Sequence, residues 1–206
     1  MQPDAPSPYE PDGPEHDALC RLDRAIFDLF EASQAERDLV EDFWAESHDL
    51  YWKGAKSAAT RRVPLPDVPQ GTRADLLENP ARGDLHRYLA AFLDAWNPHL
   101  PDGAELAWQV AASPGRDAIS VAFVPTGPGN ASRAQASADW QSMVARCAAV
   151  LAQPVSPVFY TGRVVRAAAA DGFVVLRENA RRLWTASTAR EDAEALFVQL
   201  ASRRKG

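Results

Sequence analysis

Apolar residues recur at helical spacing in the first quarter of the chain. Five of them share one face of a helix, namely Leu19, Leu22, Ile26, Leu29 and Phe30. A capping box, Ser33-Gln-Ala-Glu36, then opens a second helix that stops near Gly54. The pattern predicts a helical hairpin over residues 15–57, in which most of the apolar side chains form a core.

Four runs of β-branched and aromatic residues predict two β-hairpins. The runs are Leu106–Ala112, Ala118–Val124, Val158–Ala168 and Phe173–Glu178. The first two are separated by a turn at residues 113–117. The last two flank Asp171-Gly172, a dipeptide that is typical of tight hairpin turns.

Three further helices accompany these strands. Regular apolar spacing predicts one that begins at Asp84 and ends at Asn97-Pro98. A second helix is predicted to bury Trp140 and Cys147. The residues Thr188-Ala-Arg-Glu191 form another capping box, which predicts the start of the last helix.

The order of these elements predicts an α+β protein, with an N-terminal helical hairpin and an antiparallel sheet of two hairpins packed against helices. We expect the helices to cover one side of the sheet. The proline-rich residues 1–14 predict a disordered leader. Residues 15–57 then form the helical hairpin and residues 58–206 the α+β domain, although the two could also make one continuous domain.

Charge is distributed unevenly along the chain. The formal net charge is −6, but residues 1–52 carry 14 acidic and 3 basic groups, whereas residues 158–206 carry 9 basic and 5 acidic groups. A basic end can attract a polyanion, while two solvated faces of opposite charge are the alternative. No apolar run approaches the roughly 20 residues that span a bilayer. The N-terminus lacks a signal-peptide pattern, so we expect a cytoplasmic protein.

The sequence shows no catalytic signature. A phosphate-binding loop with its lysine, a G-x-S-x-G motif and an HExxH motif are all absent, and the histidines lack ligand spacing. The adjacent carboxylates of Glu191 and Asp192 diverge around a helix axis, so we interpret both as solvated. Cys20 and Cys147 are expected to be buried thiols. We therefore predict no catalytic residue, no metal site and no cofactor.

Arginines around the second hairpin form the candidate nucleic-acid site. With a turn at Asp171-Gly172, Arg166 would lie directly opposite Arg177 on one face of the sheet. Like charges at opposed positions repel unless an anion or acidic partner lies over them, and DNA phosphates are common partners of arginine. The predicted nucleic-acid-binding residues are Arg163, Arg166, Arg177, Arg181, Arg182 and Arg190. If these side chains instead extend into water, they contribute little to stability.

Aromatic residues of the helical hairpin are the candidates for binding a protein partner. Trp44 and Trp52 lie eight residues apart on a similar helix face, while Phe27 lies off the main apolar stripe of its helix. Core packing accounts for most aromatic residues of the hairpin, but apolar surface left outside the core would bind a partner. The predicted partner-binding residues are Phe27, Trp44 and Trp52.

Two segments of the chain resemble a known family. Leu22-Asp-Arg-Ala-Ile-Phe-Asp-Leu-Phe30, followed by Glu36, Leu39 and Val40, resembles the pattern IDxxIYxLYxLxxxExxLV in the C-terminal parts of adenine-N6 DNA methyltransferases. Val164 to Leu196 resembles the tail of the same proteins, above all in Arg181-Arg-Leu-Trp-Thr-x-Ser187 and Ala189-x-x-Asp192-Ala193. The two matches cover about a third of the chain, in the expected order.

The resemblance implies an accessory role. Such methyltransferases occur in restriction-modification and anti-phage defence clusters, with helicases and nucleases. This chain lacks their cofactor turn and catalytic loop, so it resembles the C-terminal module alone. The expectation is a non-enzymatic subunit that binds a methyltransferase, helicase or nuclease partner, with DNA contact left open. The alternatives are a stand-alone enzyme of unknown type, and an inhibitor or DNA mimic that uses the acidic N-terminal half.

Overall fold

A computed structural model gives the backbone and side-chain arrangement of most of the chain. It describes residues 16–78, 83–127, 139–151, 164–169 and 172–203. These residues form an α+β fold with helices and an antiparallel sheet, as the sequence pattern predicts. The chain divides into two compact units, Met1–Ala59 and Thr60–Gly206. The predicted leader, residues 1–14, lies outside the described residues.

From His16 onward, the first unit is mainly helical. Its segments are α1 (His16–Leu29), α2 (Gln34–Asp42), a π-helical stretch (Phe43–His48) and α3 (Asp49–Lys53). The predicted capping box is confirmed, because the Glu36 amide donates to the Ser33 hydroxyl and the Ser33 amide donates to the Glu36 carboxylate. The helix stops at Gly54, whose φ of 53° suits glycine.

In the second unit, the described residues form the sheet and four α-helices. The helices are α4 (Arg73–Glu78), α5 (Asp84–Trp96), α6 (Trp140–Leu151) and α7 (Ala186–Arg203). The strands are β1 (Gln70–Gly71), β2 (Glu105–Ala112), β3 (Ala118–Thr126), β4 (Val165–Ala169) and β5 (Gly172–Glu178). Both predicted hairpins are present, although residues 158–163 of the third predicted strand lie outside the described residues. The strand β1 and the helix α4 lie between residue 57 and Asp84, where the sequence pattern had predicted no helix or strand.

The sheet has the order β1-β2-β3-β5-β4, with every neighbouring pair antiparallel. The two hairpins join along β3 and β5, where Val121 is paired with Val175. Side chains alternate between the two faces of each strand, so this register fixes which residues of the two hairpins share a core.

Helices pack on both faces of the sheet, which corrects the prediction that only one side is covered. Residues of α5 and α7 pack with Ile119, Val121 and Phe123 of β3 on one face. Trp140, Met143 and Cys147 of α6 pack on the other face. That second face is lined largely by small residues, namely Ala111, Ala118, Ala122 and Ala167. Alanine carries little hydrophobic signal, so the strand sequences did not reveal a second core.

The last helix begins earlier than its capping box predicted. It starts at Ala186, and the Thr185 hydroxyl accepts a hydrogen bond from the Thr188 amide at 3.2 Å. Thr185 therefore caps the helix, and Thr188 lies in its first turn. The prediction missed this because Thr188-x-x-Glu191 fits the capping-box pattern better than the residues that follow Thr185 do.

Cys147 should be chemically inert in the folded protein. Burial raises the pKa of its thiol to about 12, against the opposing charge of Arg146. At pH 8 only about one thiol in ten thousand would then be ionised, and the thiolate is the nucleophile. We expect iodoacetamide to modify Cys147 at least about a hundredfold more slowly in the folded protein than in urea. Peptide mass spectrometry measures both rates, and equal rates would contradict the burial of α6.

Candidate functional site

The register of the second hairpin differs from the predicted one by two residues. Arg166 is paired with Val175 rather than with Arg177, and Ala169 is paired with Gly172. The pairing is therefore centred one residue earlier along the chain than Asp171-Gly172 had indicated, and residues 170–171 lie outside the described residues. Because the shift is even, Arg166 and Arg177 still lie on the same face, as diagonal neighbours.

Both arginines bind one carboxylate of the protein itself. Arg177 Nη2 donates to both carboxylate oxygens of Asp192, at 2.5 Å each. Arg166 Nε donates to Oδ1 of Asp192 at 2.6 Å, and the Tyr88 hydroxyl donates to Oδ2 at 2.6 Å. An acidic group does lie over the two arginines, as their repulsion requires, but it comes from α7. We call these four residues the Asp192 cluster.

Aromatic and backbone groups enclose the cluster. The Arg177 guanidinium lies 5.5 Å from the centre of the Trp184 ring, and its Nη1 donates to the Leu183 carbonyl at 2.7 Å. Trp184 contacts the ring of Tyr88 edge-on, with ring centres 4.9 Å apart. The side chains of Arg177 and Asp192 are 4% and 0% exposed. The cluster thus links α5, α7, β4 and β5 inside the second unit.

The ionisation of two cluster members follows from this enclosure. Burial, and then the negative charge of Asp192, raise the pKa of Tyr88 well above its ordinary value. Burial alone would lower the pKa of Arg166, but the hydrogen bond to Asp192 and its charge, aided by Glu191, raise it. Tyr88 therefore stays a neutral donor and Arg166 a permanent cation, which keeps both hydrogen bonds to Asp192 in place.

These contacts change the interpretation of the predicted nucleic-acid-binding residues. Arg177 is buried and paired, so it is not accessible to a phosphate group. It also does not extend into water, so it should contribute to stability more than an exposed arginine does. Arg166 keeps some exposure and also contacts Glu191 at 3.2 Å. Arg190 is half-buried on α7, and Arg163 lies outside the described residues.

Arg181 and Arg182 lie at one end of the sheet, beside arginines that the sequence analysis did not select. The Arg181 amide donates to the Arg61 carbonyl at 2.9 Å. The Asn179 side chain joins the same segments, because it donates to the Arg116 carbonyl at 3.1 Å and accepts from the Val63 amide at 2.8 Å. We call the arginines gathered here the arginine surface: Arg61, Arg62, Arg116, Arg181 and Arg182. Only the pairing of distant segments reveals this grouping.

The three predicted partner-binding residues differ in exposure. Phe27 and Trp44 are half-buried, whereas Trp52 is exposed. The Arg37 guanidinium lies 5.4 Å from the centre of the Phe27 ring. Trp52 Nε1 donates to His48 Nε2 at 2.8 Å, and His48 also contacts the Trp44 ring. The structure thus places Trp44 and Trp52 around one histidine, and Phe27 against α2.

The first unit exposes more apolar surface than the sequence pattern predicted. Its exposed large apolar residues, which we call the exposed apolar set, are Leu22, Ile26, Leu29, Phe30, Leu39, Val40, Phe43, Tyr51 and Trp52. Four of these come from the stripe on α1 that was expected to form a core. The acidic residues Asp38, Asp42 and Glu46, at helical spacing, are buried instead. The expectation of a mainly apolar hairpin core is therefore wrong.

Comparisons with known proteins leave the family open. No protein-family model, no curated protein and no solved structure matches the chain. Within the described residues, no three or more histidine, cysteine or acidic side chains are grouped so that they could hold a metal ion. No described helix has the length and hydropathy of a membrane span.

Proposed function

We propose that the protein is a non-enzymatic accessory subunit of a bacterial DNA-modification or anti-phage defence complex. It binds a methyltransferase, helicase or nuclease through the exposed apolar set and also contacts DNA. The observation that carries the docking role is the exposure of large apolar side chains on the first unit. The resemblance of Leu22–Val40 and Val164–Leu196 to the C-terminal parts of adenine-N6 methyltransferases supports the choice of complex.

The exposure is energetically unfavourable unless a partner covers it. Leu29, Phe30 and Tyr51 are 77%, 75% and 76% exposed. Transfer of such a side chain from water into an interface contributes roughly 1.5–3 kcal/mol. Large exposed apolar patches on soluble proteins mark binding sites, and nine large apolar residues are exposed here between Leu22 and Trp52. Tyrosine and tryptophan, as at Tyr51 and Trp52, are also the residue types that dominate interface energies.

The charge of the first unit indicates what the partner surface carries. Residues 16–53 contain ten acidic and four basic side chains. Two copies of this surface would repel each other, because like charges would meet at the rim of the interface. The complementary surface is apolar with lysine or arginine at its edge. Such a surface on a DNA-binding enzyme is compatible with the basic character that DNA binding requires.

The docking role is tested by removing exposed apolar residues. The double variant Leu29→Gln and Tyr51→Gln should keep the thermal stability of the wild type, because both side chains are largely in water. Its recovery of the partner from the native host should fall at least about tenfold, since both lost contacts act in one interface. The measurement is a pull-down with a C-terminal tag, quantified by mass spectrometry.

The matched control is Val198→Gln, an apolar residue on α7 that is 61% exposed but belongs to the second unit. It should recover the partner at the wild-type level. Equal recovery by the double variant would exclude the exposed apolar set as the docking surface. Wild-type recovery that contains no methyltransferase, helicase or nuclease would contradict the proposed complex.

A further inference from the structure

We propose that the arginine surface binds the phosphate groups of a nucleic-acid backbone. The inference rests on the DNA-contact part of the proposed function and assigns that contact to a site. The site keeps Arg181 and Arg182 of the predicted set, but it does not include Arg166 and Arg177 of the second hairpin, which bind Asp192. Its residues come from three separate segments: Arg61 and Arg62, Arg116, and Arg181 and Arg182.

Strand pairing brings these segments together. Ala118, the first residue of β3, is paired with Glu178, the last residue of β5. The turn before β3 and the turn after β5 consequently lie side by side. The Asn179 amide donates to the Asp117 carbonyl at 2.8 Å, which fixes the two turns to each other. The arginines are therefore positioned by backbone and buried amide contacts, and the site is formed before any ligand arrives.

Positive charge exceeds negative charge on this surface. Arg62 forms an ion pair with Asp117, and Arg182 lies 3.8 Å from the Glu178 carboxylate. Within the part of the chain that the structure describes, the exposed side chains of Arg61 and Arg116 form no ion pair. Arg61 and Arg116 thus leave two positive charges without a carboxylate on this surface, on a chain whose net charge is −6. The excess is local and is not a property of the whole protein.

The backbone of Arg116 supports a role for its charge. Its φ is 57°, in the left-handed region, and its amide donates to the Ser113 carbonyl at 2.8 Å to close the turn. A residue with a side chain costs roughly 1–2 kcal/mol in this conformation, whereas glycine adopts it freely. An arginine held here at an energetic cost indicates that the side chain serves a function beyond the fold.

The chemistry of the site favours phosphate over carboxylate. All five cations are arginines, and the planar guanidinium group binds phosphate oxygens with two parallel hydrogen bonds. An acidic peptide would mainly exchange its own carboxylates for those of Asp117 and Glu178. A nucleic acid presents phosphates at close, regular spacing and releases condensed counterions when it binds. Its binding free energy at this surface should therefore be more favourable than that of an acidic peptide.

Fluorescence anisotropy with a short labelled DNA duplex at low salt tests the site. The double variant Arg61→Gln and Arg116→Gly should bind at least about tenfold more weakly, and its salt slope should fall by up to about two, near 0.9 for each lost phosphate contact. Its melting temperature should not decrease, because glycine relieves the strain at residue 116. The control variant Arg21→Gln and Arg24→Gln loses the same charge from α1 and should bind like the wild type.

The outcomes separate this site from the proposed function. If the wild type binds duplex and the Arg61/Arg116 variant binds equally well, the arginine surface is not the site, although DNA contact stands. If the wild type does not bind duplex at low salt, both the site and the DNA contact fail, while partner docking is judged by its own pull-down. Displacement of duplex by poly-glutamate at equal charge concentration would overturn the preference for phosphate. Arg61→Gln alone, at an exposed position, serves as the second variant should the double variant not fold.

Discussion

Replacing Asp192 with alanine is expected to lower the free energy of unfolding by about 3–5 kcal/mol. The substitution leaves two guanidinium groups and the Tyr88 hydroxyl without their shared acceptor, in a place where water does not reach Arg177. An uncompensated buried charge is more costly than the loss of the ion pair itself. Urea unfolding followed by circular dichroism gives the value directly.

The neighbouring residue provides the control. Glu191 precedes Asp192 on α7 and also contacts Arg166, but its side chain is 69% exposed. Glu191→Ala should therefore change the free energy of unfolding by no more than about 1 kcal/mol. If Asp192→Ala also costs less than about 1 kcal/mol, the carboxylate is not the common acceptor of the three donors, and the account of the Asp192 cluster is wrong.

Replacing Gly172 with alanine should be at least as damaging. Its φ is 135°, a conformation that side chains disfavour, and an added Cβ would overlap the carbonyl oxygen of Phe123 on the neighbouring strand β3. The same Cβ would lie 3.2 Å from Cα of Val124. Backbone in the middle of a sheet cannot move aside cheaply. We expect a loss of more than about 4 kcal/mol or failure to fold, measured by urea unfolding.

Gly103→Ala separates strain from steric overlap. Gly103 also has a positive φ, 77°, but nothing lies within 4 Å of the position that a Cβ would occupy. Its substitution should cost only the roughly 1–2 kcal/mol of the left-handed backbone. Equal losses at the two glycines would mean that the close approach of β5 to β3 is not the cause.

The elements that were predicted correctly are those with local signals. Ser33 and Glu36 form a capping-box pattern of four residues, which predicts the start of a helix. Runs of β-branched residues and the turn residues between them predict the two hairpins. The register failed because Asp171-Gly172 is a preference and not a constraint, while the true register depends on how β5 packs against β3. The pairing of β5 with β3 joins residues that are far apart in the sequence, so no short motif predicts it.

The candidate site residues were also predicted only as far as local sequence signals allow. Adjacent acidic residues on a helix point about 100° apart, so Glu191 can be exposed while Asp192 is buried, and nothing in their order tells which is which. Arg177 was selected because the predicted register placed its charge opposite Arg166, which calls for an anion, but the pattern did not show that α7 supplies that anion from Asp192. The exposure of Leu29 and Phe30 was missed for the opposite reason, because an apolar stripe that faces a partner has the same spacing as one that faces a core.

The sharing of one carboxylate among three donors restricts which substitutions this sequence can accumulate during evolution. A single substitution of Asp192 leaves Arg177, Arg166 and Tyr88 without their acceptor. Selection for a folded chain therefore opposes that substitution. If apolar residues first replace both arginines, Asp192 no longer stabilises the fold. Its own replacement then lowers the free energy of unfolding little further, because energies within one network are not additive. Positions 88, 166, 177 and 192 should therefore change together across related chains, either all polar or all apolar, with few intermediates.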